Sequence, residues 1–250
     1  MSNTRHTSIW IRAYAVNHPA SVHIPPRVFR DWGQLTFAAQ GVMSVETGEQ
    51  AWIVPPHRAL WVPPGVEHEI RMRGPVQVRT LFFARRFAER RTASHIAPIN
   101  VSPLLRELIL HITARGSLRR DVNEERRLAE VALDQLELSD DTPLQLPMPR
   151  DPRARYAAAI LLTPRPDRSL AVVARESGAS TRTLERLFRR ETAMSFGKWR
   201  GRATALCALP LLARGLSTAD VAYELGYSGA SAFAVAFKRE LGTSPREYVA

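Results

Sequence analysis

One pattern occurs twice in the last third of this 250-residue chain, and it restricts the fold more than any other feature. Between positions 170 and 189 the sequence reads LAVVARESGASTRTLERLFR. Leu170, Val173 and Ala174 predict a short buried helix over about 169–176. Gly178 supplies a residue free to take positive φ in the turn that follows. Ser180 is placed to accept from the free N–H groups of a second helix. There Leu184, Leu187 and Phe188 fall at i, i+3, i+4 and form an apolar stripe. Arg182, Glu185, Arg186 and Arg189 fall on the opposite face. Ala174, Gly178 four later and Leu184 six beyond have the spacing of a helix-turn-helix, whose small residues let two helices cross closely. The outward face of such a unit enters the DNA major groove. Taken alone, the stretch also fits an ordinary helical hairpin with a solvated charged face.

The second copy decides between these. Ser217 to Asp220 fits a capping box. Val221, Ala222, Leu225, Gly226 and Tyr227 take the places of Val173, Ala174, Ser177, Gly178 and Ala179, 48 positions earlier. A following helix turns Phe233, Ala236 and Phe237 inward, and Ser244, Pro245 and Glu247 start another. Between the copies a helix is expected from about Ser195 to Leu206. Pro210 is expected to kink or end it, because its ring clashes with the preceding turn, and Gly215 closes the segment. Ahead of the first copy, Pro152 opens a helix through 160–162, stopped by Thr163-Pro164-Arg165-Pro166.

Charge points the same way. The net charge is +11. From Arg150 onward there are 17 basic against 9 acidic residues, whereas the first 149 positions hold 18 against 15. The excess therefore sits with the tandem units and suggests an anionic partner. Arg far outnumbers Lys, which favours bidentate contact with phosphate or guanine. The single cysteine, Cys207, rules out an intramolecular disulfide and reads as a small buried hydrophobe. No stretch approaches the roughly 20 apolar residues of a membrane span. MSNTRHTSIW lacks an apolar signal core, so a cytoplasmic protein with no membrane partner is expected.

Up to about Phe87 the chain reads as short strands: SIWIRAYAV, QLTFAAQGVMSVETG, AWIVPP, RALWVPPG, HEIRM and VQVRTLFFA. Val76, Val78 and Thr80 alternate with Gln77 and Arg79. Such spacing suggests an antiparallel barrel or jelly roll, with Pro55-Pro56 and Pro63-Pro64 in connections or at edges. WVPPGVEHEI, from Pro63 to His68, resembles the second signature of the cupin barrel. Cupin enzymes also need an earlier His-x-His pair to hold a metal, and Val28-Phe29-Arg30 stands there instead. No metal, no cofactor and no catalysis are therefore expected. A small effector is expected in the barrel mouth, lined by Trp32, Gln34, Trp61, His68 and Arg79; the Trp residues fit equally as plain core.

From Ile99 the period becomes helical. Leu104, Leu105, Leu108, Ile109 and Ile112 make one stripe after the Ser102-Pro103 start. A second helix over about 123–138 turns Leu128, Val131, Ala132, Gln135, Leu136 and Leu138 toward a partner. These two helices form either a homodimer interface or a layer on their own barrel. SDDTPLQLPMPRD, 139–151, reads as a linker.

At this point the tandem unit is specific enough to place. VAYELGYSGASAFAVAFKRELGTSPREY closely resembles the signature of the AraC/XylS family of bacterial transcription regulators, and the first unit with RRETAMSFGKWR is similar to its other half. The resemblance implies an α+β multidomain chain. An N-terminal cupin-like sensor would span 1–98, a helical pair and linker 99–150, and an all-α tandem helix-turn-helix domain 151–250. It also implies two recognition helices entering successive major-groove segments of double-stranded promoter DNA. Family base-contacting positions fall on Arg182, Glu185 and Arg186, with Arg189 beside them; Glu185 either accepts from cytosine or orients a neighbouring Arg. In the second unit they fall on Ala230, Ser231, Ala234 and Val235, too small for strong base reading, with Lys238 for phosphate. Partners implied are a small-molecule effector, a possible second copy, and RNA polymerase if the protein activates. Two rivals remain: a cupin-type enzyme with a DNA-binding tail, and a non-specific nucleic-acid binder.

Overall fold

A computed structural model describes residues 8–19, 21–56, 58–72, 74–89, 91–136, 144–162 and 169–249. The chain opens with strands β1 (Ile9–His18), β2 (Val22–Arg27), β3 (Trp32–Gln40), β4 (Met43–Glu46), β5 (Gln50–Val54), β6 (Arg58–Val62), β7 (His68–Met72) and β8 (Val76–Ala84). A short helix α1 (Arg85–Ala88), β9 (Ala97–Asn100), α2 (Pro103–Arg115), β10 (Ser117–Arg119), α3 (Asn123–Asp134) and β11 (Gln145–Pro147) follow. The rest is helical: α4 (Pro152–Leu161), α5 (Leu170–Glu176), α6 (Thr181–Thr192), α7 (Phe196–Ala213), α8 (Thr218–Glu224), α9 (Ala230–Leu241) and α10 (Pro245–Val249). Among the described residues no helix is long and apolar enough to cross a membrane.

The chain divides into two compact units. Unit 1 holds Met1–Val45 and Val54–Asp141; unit 2 holds Glu46–Ile53 and Thr142–Ala250. In unit 1 an antiparallel sheet runs β10-β1-β8-β3-β6-β9, and β4, β7 and β2 hydrogen-bond in that order in a second sheet. The expected barrel is thus a pair of sheets that does not close. One reason lies in β2, a strand absent from the sequence reading. Among the described residues it pairs only with β7, with an irregularity between Ile24 and Arg27. Pro25 and Pro26 fall there, and neither has an N–H to offer a further neighbour.

In the six-stranded sheet β3 and β6 are buried on both faces, whereas β1 is exposed from Tyr14 to Asn17. One face carries Ile11, Leu35, Phe37, Trp61, Leu81 and Phe83, packed with Leu105, Ile109 and Ile112 of α2 and Ala129, Ala132 and Leu133 of α3. The helices assigned from sequence to a separate segment, 99–150, therefore complete the core of unit 1. Ser102 caps α2 by accepting from Leu105 N–H. Of the expected stripes, Leu104 and Val131 stay outside, 53% and 42% exposed. α3 stops at Asp134, and the expected Leu138 lies outside the described residues. Trp61 reaches across this face; a Cβ at Gly33 would stand 2.2 Å from its ring. Its Nε1 donates to the Ala93 carbonyl at 2.8 Å.

In unit 2, β11 pairs with β5, so the 139–151 segment is not wholly linker. α4 begins at Pro152, with Asp151 as its cap. The predicted stop at 163–166 lies outside the described residues. Of the two expectations for Pro210, a helix end is ruled out: α7 runs through it to Ala213. Proline removes one intrahelical bond and costs about 3 kcal/mol in a helix interior. Here Leu206, Ala208, Leu209, Leu211 and Leu212 are all buried. Burying each large aliphatic side chain contributes about 1.5–3 kcal/mol, which outweighs that cost. Cys207 is buried on the same helix, against the carbonyls of Leu161 and Leu162.

Candidate nucleic-acid interface and effector pocket

Both helix-turn-helix units form from the residues that predicted them. In the first, Ser169 caps α5 and Ser180 caps α6, each accepting an N–H from three residues on. The turn is closed by Gly178 N–H to Arg175 O at 3.1 Å and Ala179 N–H to Ala174 O at 3.0 Å. In the second, Gly226 N–H meets Tyr223 O at 3.0 Å and Tyr227 N–H meets Ala222 O at 2.9 Å. Gly178 and Gly226 have φ of +64° and +73°, the left-handed conformation this turn requires. The first helices of the two units are 48 positions apart, but the caps of the second helices, Ser180 and Gly229, are 49 apart. The second turn is one residue longer. Leu184 and Phe188 therefore correspond to Phe233 and Phe237, all fully buried.

That register also matches the outer faces. Arg182 corresponds to Ser231, Glu185 to Ala234, Arg186 to Val235 and Arg189 to Lys238. On α6 Arg182, Arg186 and Arg189 are exposed along one stripe. Among the described residues no ion pair is found for Arg182 or Arg186. Glu185 is placed differently. Its Oε2 accepts from Phe196 N–H, the first residue of α7, at 3.1 Å, and its Oε1 lies 3.6 Å from Arg189. On α9 Ser231, Val235 and Lys238 are exposed, Val235 at 70%, while Ala234 is half-buried.

Within unit 2, α7 packs against both helix-turn-helix motifs, touching α6, α8 and α9. Phe188 packs on Phe196 and Trp199 at 4.7 and 5.0 Å between ring centres. In the last turn of α6, Glu191 accepts the N–H groups of Arg150 and Asp151 at 2.8 and 2.9 Å. The Asp151 N–H, then the Arg190 guanidinium, hold the Glu191 carboxyl below its ordinary pKa. Sequence reasoning missed the part played by residues 46–53 in this unit. Glu49 pairs with Arg150, and the Gly48 carbonyl accepts from Arg155 at 3.0 Å. Met148 N–H donates to Glu49 O at 2.9 Å, and Trp199 Nε1 to Pro147 O at 2.7 Å.

In unit 1 strand register sorts the predicted pocket residues. Arg12, Phe82, Gln34 and Val62 form one cross-strand row, and Tyr14, Thr80, Thr36 and Leu60 the next. His68 meets Gln34 across the two sheets, Nε2 to Oε1 at 3.0 Å, and its Nδ1 lies 3.1 Å from Val66 O. Both side chains are buried. Burial lowers the His68 pKa and Arg27 lowers it further, against the bond to Val66. The imidazole is therefore neutral at pH 7. With Nδ1–H given to Val66, Nε2 is an acceptor that the Gln34 amide satisfies by turning its NH2 inward. Phe29 lies beside His68 and Phe82, at 6.1 and 4.8 Å. Trp32 shares this face, with the Arg12 guanidinium 4.4 Å above its ring. Trp61 and Arg79 do not join them. Trp61 pairs with Leu35 and Arg79 with Phe37, on the face that packs against α2 and α3. Arg79 bonds Asn17 at the solvent end of that face. Among the described residues no three His, Cys, Asp or Glu side chains come together as a metal site.

Residues 173–250 match the family described as helix-turn-helix domain. The chain is 33% identical over 219 residues to the HTH-type transcriptional regulator NimR of Escherichia coli (strain K12), which covers 87% of this chain and 80% of NimR. It is 35% identical over 81 residues to the regulatory protein SoxS of Salmonella typhimurium (strain LT2), covering 32% of this chain and 76% of SoxS. A solved transcriptional regulator with an AraC-type DNA-binding domain, from Chromobacterium violaceum, aligns with 39% of this chain and 89% of its own, at a TM-score of 0.36 and 23% identity.

Proposed function

This chain belongs to the AraC/XylS family of helix-turn-helix transcription regulators, and from that premise we propose how its residues divide the work of reading DNA and sensing an effector. α6 carries the direct base readout. Arg182 and Arg186 are exposed at i and i+4, and a guanidinium bonds guanine O6 and N7 bidentately, worth about 1–3 kcal/mol of discrimination per good pair. Glu185 braces α6 against α7. α9 offers Ser231 and the Val235 methyls to base edges and Lys238 to a phosphate, so it sets register and adds affinity. The observation that carries this division is the matched pair Arg186 and Val235, the same helical position on two equivalent helices.

A small effector occupies the face of unit 1 that holds the Gln34–His68 pair. It acts only through a difference in affinity between DNA-competent and incompetent arrangements. The chain leaves unit 1 at Val45, residues 46–53 bond α4 within unit 2, and the chain returns to unit 1 at Val54. The protein acts as a cytoplasmic regulator rather than an enzyme, and contacts RNA polymerase where it activates. Leu104 and Val131, left exposed on α2 and α3, are the apolar positions available to a second copy.

Binding to its own upstream intergenic DNA, with random DNA at the same salt, tests the reading. Preference for the upstream fragment is expected by at least about a thousandfold. Equal affinity contradicts it and leaves a non-specific binder.

A further inference from the structure

A cleft of about 530 Å³ opens in unit 1 where β1 and β3 begin and β8 runs into α1. That volume lies inside the roughly 300–1,000 Å³ range of small-molecule sites. Its walls combine two chemistries. Trp10 and Phe87 stack at 4.2 Å and 14°, and Trp32 lies under the Arg12 guanidinium. Four arginines line it, Arg12, Arg85, Arg86 and Arg120, against the single carboxylate of Asp31. Arg85 is matched by Glu89 at 3.1 Å. Arg86 and Arg120 are exposed, and among the described residues no ion pair is found for either. The cleft therefore keeps an excess of positive charge beside flat aromatic surface. Arg12 and Gln34 flank Phe82 in one cross-strand row of the same sheet.

We propose that this cleft binds a small aromatic carboxylate, its anionic group at Arg86 and Arg120 and its ring along Trp32. Guanidinium groups hold a carboxylate through paired, charge-assisted hydrogen bonds. The indole faces take a flat ring by offset stacking. A neutral aromatic leaves the cationic excess unmatched, and a bare anion leaves the aromatic wall unused, so the site selects molecules with both parts. This rests on the reading that unit 1 senses an effector.

Calorimetric titration of the full chain with indole-3-carboxylate, indole-3-carboxamide and inorganic phosphate tests the proposal. The acid is expected to bind at least about tenfold more tightly than either control, a difference of about 1.4 kcal/mol. The doubly substituted Arg86→Gln, Arg120→Gln chain, altered only at exposed positions, is expected to lose that advantage while melting like the parent. Trp32→Phe keeps a ring and is expected to weaken the acid and not phosphate. Equal binding of acid and amide, equal binding of acid and phosphate, retention of affinity in the double variant, or no binding of the acid at millimolar concentration each overturns the assignment. The sensor reading fails separately: acid that binds through these arginines without changing promoter occupancy keeps the site and removes the coupling.

Discussion

The two helix-turn-helix units differ where it matters for recognition and agree where it matters for folding. Their turns share the same pair of hydrogen bonds and the same positive-φ glycine. Their buried positions match, Leu184 with Phe233 and Phe188 with Phe237. Their outer faces do not: three arginines on α6 stand against Ser231, Val235 and Lys238 on α9. α6 is capped by Ser180, whereas α9 starts at Gly229 without a side-chain cap. One fold has been kept twice, and the change that bears on recognition is in the exposed stripe. The difference separates the requirement for a helix that docks from the requirement for a helix that reads.

The largest expected effects break what the units share. Phe188→Ala and Phe233→Ala should each lower stability by about 3–5 kcal/mol in denaturant unfolding, the usual cost of emptying a packed aromatic site. A loss under 1 kcal/mol in one of them would show that the two cores are not equivalent. Next come the substitutions that sharpen the contrast. Arg186→Ala should remove about 1–3 kcal/mol of discrimination at one base pair. Val235→Ala, at the matched position, should change discrimination by less than about 1 kcal/mol and only where a thymine methyl is read. Lys238→Ala should weaken binding to every sequence alike and flatten the salt slope by about one unit, measured as affinity against salt concentration.

Smaller effects concern residues whose work lies inside the protein. Glu185→Gln should cost about 1 kcal/mol through the weakened bond to Phe196 N–H while base preference stays unchanged. A shifted base preference would return Glu185 to the DNA surface. Ala193 ends α6 at φ +56°, where an L-residue is strained. Ala193→Gly should therefore stabilise by up to about 1 kcal/mol, and no equivalent gain exists in the second unit, which already has Gly242 there. His68 supplies a pH signature in unit 1. Burial lowers its pKa from an ordinary 6.5, so the folded chain holds fewer protons than the unfolded one just below that value. Its contribution is complete above about pH 6.5 and is lost as pH falls through 6.5 toward the folded value. Melting curves from pH 8 to 5 should show this fall, and His68→Gln should flatten it.

The tandem units were legible because local signals sufficed: caps, a turn glycine and an i, i+3, i+4 stripe all act within twenty residues. What escaped the sequence was set by longer-range packing. Pro210 reads as a kink or a helix end, yet α7 passes through it because the residues on both sides of it in the helix, Leu209, Leu211 and Leu212, are buried. Pro25-Pro26 hides a strand whose existence depends on β7, some 45 positions later. β6 is buried on both faces, so composition does not say that Trp61 faces α2 rather than the pocket. Arg79 was recoverable: it alternates with Val78 and Thr80 and so had to lie on the opposite face from Thr36 and Gln34. Glu185 looked like a base contact because helical spacing gives the face of a residue and not its partner across a turn. Nothing in residues 46–53 signals attachment to unit 2, since those contacts form with residues about a hundred positions on.

The division of labour between α6 and α9 is most directly tested by measuring affinity for a complete set of single-base variants of the bound site, with the parent chain, Arg182→Ala, Arg186→Ala, Ser231→Ala and Val235→Ala. The account predicts that the steepest base preferences lie in the half contacted by α6 and collapse, one position each, in the two arginine variants. The two α9 variants should leave the profile close to that of the parent. A profile in which the α9 half is equally steep, or in which Ser231→Ala or Val235→Ala erases more preference than Arg186→Ala, would contradict it.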